Sequence, residues 1–478
     1  MTRLELIRIS RGISVEELSA EAGSVRQHLR KIRMAEVEPG RDTIAAIVSA
    51  LRRITLEDLS AEQVFELSSE ESGPWNQRAF EQFIRTTRTE RVRTAALIEE
   101  LERIPRERWG IHMKSRQPSE ELVRMLVLAG RRYVSERPAH ADALLAIAID
   151  LAQALTTERQ AYKSFLLGRA RLERANVLRQ LGLYRDALSV LDEAERDFEG
   201  VPMCSHELAR AWFVRGSLLL KIDGLEEARR ALRRAISLFS AVADHRRVAK
   251  AQAVEGMVLA DMHRYADARE LWLTIIPVLR AGQERQTLGI VWLSLAWCEL
   301  ELGSGDAART WLTKAMDIFT KTKDAVNLIH VRWAFAVAEA RFGERKEGLR
   351  LLRRERAEFE KLTMFTDGGM VSLDIVEALL LMDEHEEAAR VCREAIDLFL
   401  RAGARKEVVR ALTYLREAAA TSAAPTDAVK HVRREMRRAE REQDAFVFHP
   451  PLNGSPSGVW NRKTTRKQDD EHDDLEHE

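Results

Sequence analysis

Arg26, Gln27, His28, Arg30, Lys31 and Arg33 fall within eight consecutive residues, and no acidic residue stands between Ser24 and Ala35. Arg26, Arg30 and Arg33 are spaced i, i+4 and i+7, which puts them on one face of a helix. A guanidinium can bond both acceptors of a guanine edge, and Gln can do the same for adenine. Lys and Arg also neutralise phosphate, which supplies most of the affinity for a duplex. The chemistry open to this segment is recognition of double-stranded DNA. A global field gives no help: Lys+Arg is 76 and Asp+Glu is 76, so the formal net charge is 76 − 76 = 0. Any pull on phosphate must be local.

Catalytic chemistry finds no footing. The chain has no phosphate-binding GxxxxGK[ST] loop, no HExxH and no strand-borne GxSxG or GxGxxG. Cys204, Cys298 and Cys392 lie far apart without metal-ligand spacing and read as reduced, buried thiols. The run Asp383-Glu384-His385-Glu386-Glu387 reads as a solvated turn, and His472 and His477 as part of a solvated tail. The expectation is a protein that is not an enzyme, with no catalytic residues, no cofactor and no metal. The longest uncharged, mostly apolar stretch, 288–298, is shorter than the roughly 18 residues of a membrane span. Glu5 and Arg8 interrupt what a signal peptide would need as an apolar run. A soluble, cytoplasmic protein without a membrane partner is expected.

The elements that must position the basic cluster lie in residues 1–60. The pattern predicts five short helices: about 3–10, 15–22, 25–34 and 42–51, and one beginning near Leu56. Ser14 with Glu17 three residues later has the form of a capping box for the second. Arg11-Gly12-Ile13-Ser14, Glu17-Leu18, Ala22-Gly23, Leu29, Ile32, Pro39, Thr43-Ile44, Leu51 and Leu56-Glu57-Asp58-Leu59 together resemble the helix-turn-helix domain of Cro/C1-type repressors. The resemblance implies that the third helix enters the major groove. The chain departs from that pattern at Val15, at the reversed pair Ser24-Val25, and at Arg33 and Ala35.

Beyond residue 118 the chain repeats itself. Ala187, Ala228, Ala268, Ala308, Gly348, Ala388 and Ala428 succeed one another at 41, 40, 40, 40, 40 and 40 residues. A small residue lies twelve positions upstream (Ala175, Gly216, Gly256, Ala296, Ala336), and a turn residue lies between (Gly182, Asp223, His263, Gly303, Gly343, Asp383). Each unit reads as a helix–turn–helix hairpin, which cannot bury its apolar face alone and must stack on its neighbours. Ala175, Gly182, Tyr184, Ala187 and Ala194 resemble the tetratricopeptide repeat, with a period longer than the usual 34 residues. The likeness spans about 160–445, with an irregular leading hairpin at 119–157.

The expected architecture is all-α: a helix-turn-helix domain at 1–60, a helical connector at 61–118, a solenoid at 119–445 and a disordered tail at 446–478. In the connector, 75–103 reads as one amphipathic helix that either pairs two copies of the chain or packs on the first hairpin. Groove positions of the tetratricopeptide family project onto Asn176, Phe213, Met257, Leu293, Trp297, Trp333 and Glu377, with Arg169, Arg210 and Lys250 at the rim. The resemblance implies a peptide or protein partner there. The whole is similar to bacterial helix-turn-helix regulators with tetratricopeptide sensor domains. That likeness implies a transcriptional regulator whose solenoid binds an effector, mediates dimerisation, or both. The alternative is a scaffold whose first domain does not bind DNA.

Overall fold

The computed structural model describes residues 4, 7–8, 13, 15–22, 32, 41–55, 89, 92, 95–101, 103–114, 118–134, 136–201, 204–222, 224–282, 284–403, 408–409, 412–413, 415–416 and 428–435. Every element among them is helical. The chain divides into two compact units, Met1–Leu218 with Arg230–Ala251, and Leu219–Arg229 with Gln252–Glu478.

The first unit opens with α1 (Val15–Glu21) and α2 (Arg41–Thr55). They share a core of Leu4, Ile7, Ile13, Leu18, Ile32, Ile47 and Leu51. The second helix outruns its predicted end at Leu51 because Ile54 extends the stripe of Ile44, Ile47 and Leu51 and packs on the same core. Short α3 (Trp109–Lys114) precedes the leading hairpin, α4 (Glu120–Tyr133) and α5 (Pro138–Ala154). Ser119 caps α4 by accepting from the Leu122 amide at 3.2 Å, and Pro138 opens α5 where a missing N–H costs nothing. Leu97, Ile98, Leu101 and Ile104, at the end of the predicted connector helix, pack against this hairpin's core. Then follow α6 (Gln160–Gln180), α7 (Tyr184–Phe198) and α8 (Ser205–Leu219).

Two helices, α9 (Leu225–Ala241) and α10 (His245–Asp261), pass from one unit to the other. In the second unit come α11 (Tyr265–Ala281), α12 (Arg285–Glu301), α13 (Gly305–Thr322), α14 (Ala325–Phe342), α15 (Arg345–Lys361), α16 (Phe365–Leu380) and α17 (His385–Arg401). Each packs on the next, and α12, α14 and α16 also touch in series, as the first helices of stacked hairpins do. No described helix is long and apolar enough to cross a membrane.

The 40-residue period is written into the backbone twice. Gly182, His263, Gly303 and Asp383 turn within hairpins at positive φ, and Lys323, Thr363 and Gly403 turn between hairpins in the same way. Side chains at these hairpin ends are packed on a second recurring pair. Phe198, Phe239, Phe319, Phe359 and Phe399 are all buried near the ends of second helices. Gly168 faces Phe198, Gly289 faces Phe319 and Gly369 faces Phe399, each so closely that a Cβ would lie within 2.8 Å of the ring. Burying each ring is worth about 1.5–3 kcal/mol.

Gly348 shows how local the fit is. Alanine occupies the equivalent place in the six other units, fully buried in five of them and 3% exposed at Ala428. Here a Cβ would stand 2.3 Å from the backbone nitrogen of Ala340, which cannot swing aside. Gly348→Ala gains about 1 kcal/mol of helix propensity but overpacks the α14–α15 contact. A net loss of about 2 kcal/mol is expected, read as a lowered midpoint in urea. An unchanged or raised midpoint would show that the hairpin opens without cost.

Candidate functional site

Arg26, Gln27, His28, Arg30, Lys31 and Arg33 lie outside the described residues, as do Ser14 and the tail 446–478. Within the predicted third helix, Ile32 is described: it is helical and buried in the core with Leu18 and Ile47.

In the first unit α1 is tied to a repeat helix. Arg247, near the start of α10, donates from Nη2 to both oxygens of Glu21 at 3.0 and 3.1 Å. Arg247 also donates to Asp244 at 2.7 Å, and His206 Nε2 lies 3.3 Å from the same Asp244 oxygen. The path continues inward: His206 lies beside Glu207, Glu207 is 3.9 Å from Arg169, and Arg169 donates to Glu173 at 2.9 Å. Arg210 donates to that same Glu173 oxygen at 2.8 Å. Burial opposes charge on Asp244, but the hydrogen bonds of His206 and Arg247 and the charge of Arg247 outweigh it and hold its carboxyl below the usual range. Glu207 is held low in the same way by His206 and Arg169. Burial pushes the Arg169 guanidinium down despite Glu173 and Glu207.

Of the projected groove residues in this unit, Arg169 is thus inside the protein, 1% exposed. Arg210 is half-buried on the same carboxylate. Asn176 accepts from Arg179 on its own helix, and Phe213 is half-buried against the apolar core. Lys250 is half-buried on α10.

The second unit holds a cleft of about 280 Å³. Met257, Trp297 and Trp333, three of the projected positions, line it. Leu293 is half-buried one turn before Trp297. Trp297 and Trp333 meet edge to face with centroids 5.1 Å apart. Trp272 is buried beside them, its indole N–H donating to the Ala253 carbonyl at 2.9 Å. It fits because residue 256 is glycine: a Cβ there would lie 2.3 Å from the indole nitrogen.

Asp374 and Arg433 also line the cleft, and spacing alone did not single them out. Trp333 Nε1 donates to Asp374 at 2.7 Å, and Arg433 Nη2 donates to Asp374 at 2.7 Å and to Glu377 at 2.9 Å. Arg341 completes the set, donating to Glu377 at 3.0 Å and to Glu301 at 3.2 Å. Glu377 therefore serves as the anchor for two arginines. Burial pushes the Asp374 carboxyl up, against the pull of Arg433 and Arg341. For Glu377 burial also opposes charge, but the same two arginines prevail and hold it low.

A tetratricopeptide repeat model matches residues 209–241. No curated protein matches the chain. Among solved structures, the chain is similar to the apo form of the quorum sensor NprR from B. thuringiensis. Identity is 13% and the TM-score 0.51, covering 74% of this chain and 99% of that one. It is similar also to aspartyl phosphate phosphatase F from Bacillus subtilis, at 14% identity and a TM-score of 0.50, covering 80% and 94%. At such identities the likeness is one of fold: an all-helical array of tetratricopeptide-like hairpins.

Proposed function

We propose that the chain is a DNA-binding transcriptional regulator whose solenoid takes a peptide or protein effector. One observation carries this reading: the polar path from Glu21 on α1 through Arg247, Asp244, His206 and Glu207 to Arg169 and Glu173. The helix that precedes the basic cluster is held by the repeats through charged groups whose geometry is mutually dependent. A ligand that shifts the repeat helices changes the seat of α1, and with it the presentation of Arg26, Arg30 and Arg33. Affinity for effector and for DNA are then linked, each altering the other by the same factor. The fold likeness to a protein named a quorum sensor supports an effector role for the repeats.

In this reading the chain acts in the cytoplasm, needs no cofactor and catalyses no reaction. Two copies present two third helices to half-sites about 34–36 Å apart, one turn of DNA. Arg30→Ala is expected to cost about 1–3 kcal/mol at a selected operator, measured by titration of labelled duplex at fixed salt. Unchanged affinity there favours the scaffold reading, in which the first domain does not read bases.

A further inference from the structure

His206, the second residue of α8, is 5% exposed. Its ring stands edge-on to Phe239 of α9, with centroids 5.6 Å apart. The two ring nitrogens face two different carboxylates. Nε2 lies 3.3 Å from Asp244 Oδ2, and Nδ1 lies 3.7 Å from Glu207 Oε1. Nδ1 is buried and has no hydrogen-bond partner among the described residues. A neutral imidazole has one N–H and one lone pair, so it offers a proton to one carboxylate and a lone pair to the other. The imidazolium offers a proton to both. Both carboxylates are held below their usual range, so each is charged when the ring between them gains or loses its proton.

Asp244 passes the state of the ring onward. Its Oδ1 accepts from the Arg247 amide at 3.0 Å and so caps α10. Its Oδ2 is shared between His206 and the Arg247 guanidinium. The other Nη of Arg247 holds both oxygens of Glu21 on α1. A lone pair turned toward Oδ2 displaces the one carboxylate that orients Arg247. In the other tautomer the lone pair turns toward buried Glu207. Beyond Glu207 stand Arg169 and Glu173 of α6, with Arg210 of α8 on the same Glu173 oxygen, and the charge of Arg131 on α4 reaches Arg169. Beside Arg247 on α10, His245 is exposed and Arg246 half-buried. Cys204, two residues before the ring, stays a thiol, since burial and then Glu207 push it up to about 12. Histidine is the residue type here whose charge ordinarily changes between about pH 5 and 8.

Resting on the reading of α1 as the link between the repeats and the DNA-binding segment, we propose that a proton on His206 is itself an effector: the imidazolium clamps Asp244 and Glu207 together and seats Arg247 on Glu21, and loss of the proton loosens α1. The sign follows from which form satisfies both carboxylates. The clamp is complete on the acid side and is lost as pH rises through the titration of the ring.

The test follows amide hydrogen exchange of residues 15–22 in the full chain between about pH 5.5 and 8, corrected for the intrinsic effect of pH on exchange. Protection should fall about fivefold or more from the acid to the alkaline end. His206→Gln keeps a donor for Asp244 but cannot gain a charge, and it should give a flat profile. A flat profile in the unsubstituted chain, or the same slope in His206→Gln, overturns the proposal. Should His206→Gln fail to fold, Arg247→Met cuts the link while leaving the ring in place. It should be flat too, and a slope kept there overturns the proposal equally. The same proteins are titrated with a duplex selected from a random pool, at both ends of the pH range and at fixed salt. Duplex affinity that changes with protection, and does so only when His206 is present, joins the proton to DNA reading. A sloping profile with no duplex bound keeps the clamp and overturns the regulator reading. Duplex bound with a flat profile overturns the clamp and keeps the regulator.

Discussion

Arg433→Leu is expected to destabilise the second unit by about 3–5 kcal/mol. The guanidinium sits among Asp374, Glu377 and Arg341, and one nitrogen donates to both carboxylates. Burial alone would lower its pKa; Asp374 and Glu377 raise it instead, so it is a cation at any working pH. Leucine fills much of the space but takes the guanidinium from both carboxylates; among the described residues Asp374 keeps the Trp333 indole and Glu377 keeps Arg341. Stranded buried charge, not lost packing, is then the main cost. A second substitution separates the two. Asp374→Asn in the Arg433→Leu background removes one stranded charge and should return part of the loss. Urea midpoints of the single and double variants check this. If Asp374→Asn makes matters worse, the network is not the cause.

Trp272→Ala is expected to cost a similar amount, about 3–5 kcal/mol. The side chain is 1% exposed and is the largest fully buried one in the described chain. Its environment cannot collapse to fill the hole. The backbone of α10 already approaches as closely as Gly256 permits, and the indole N–H is fixed on Ala253. Trp272→Phe keeps most of the packing and forfeits the hydrogen bond, a loss of about 1 kcal/mol plus a smaller cavity. The ratio of the two losses is the informative quantity. Equal losses would mean that the hydrogen bond, and not the volume, secures α11 on α10.

The solenoid was legible because its signal is redundant. The small residues at 187, 228, 268, 308 and 388 are buried without exception, and those at 187, 228, 268 and 308 are accompanied by a second small residue twelve positions upstream. The turns between hairpins were not legible. Positive φ falls on Ala243, Lys323 and Thr363, residue types that give no hint of it, because hairpin stacking imposes the conformation against an intrinsic cost of about 1–2 kcal/mol. The period of buried phenylalanines was present in the sequence and could have been read together with Gly168, Gly289 and Gly369, thirty residues upstream of their rings.

Charge was the harder matter. Projection of the tetratricopeptide groove puts Arg169 at the rim, whereas the structure buries it. Its burial depends on Glu173 at i+4 and on Glu207 from the next hairpin, and only the first of these is local. Arg433 follows Ala428 in the second half of its unit, whereas the projected groove positions come from first helices. Trp297, Trp333 and Met257 were found because tetratricopeptide grooves are built from the same face of successive first helices. Asp261 and Glu301 line the same cleft from the ends of α10 and α12, positions that the groove projection does not include.

The central claim is that this chain reads duplex DNA through the segment 26–33. It is tested most directly by selecting bound fragments from a random duplex pool with the full chain at fixed salt, beside an Arg26→Ala/Arg30→Ala variant. The account predicts a shared motif, with paired half-sites about one helical turn apart, that the variant fails to enrich. Fragments with no common sequence, or the same motif enriched equally by the variant, would contradict it.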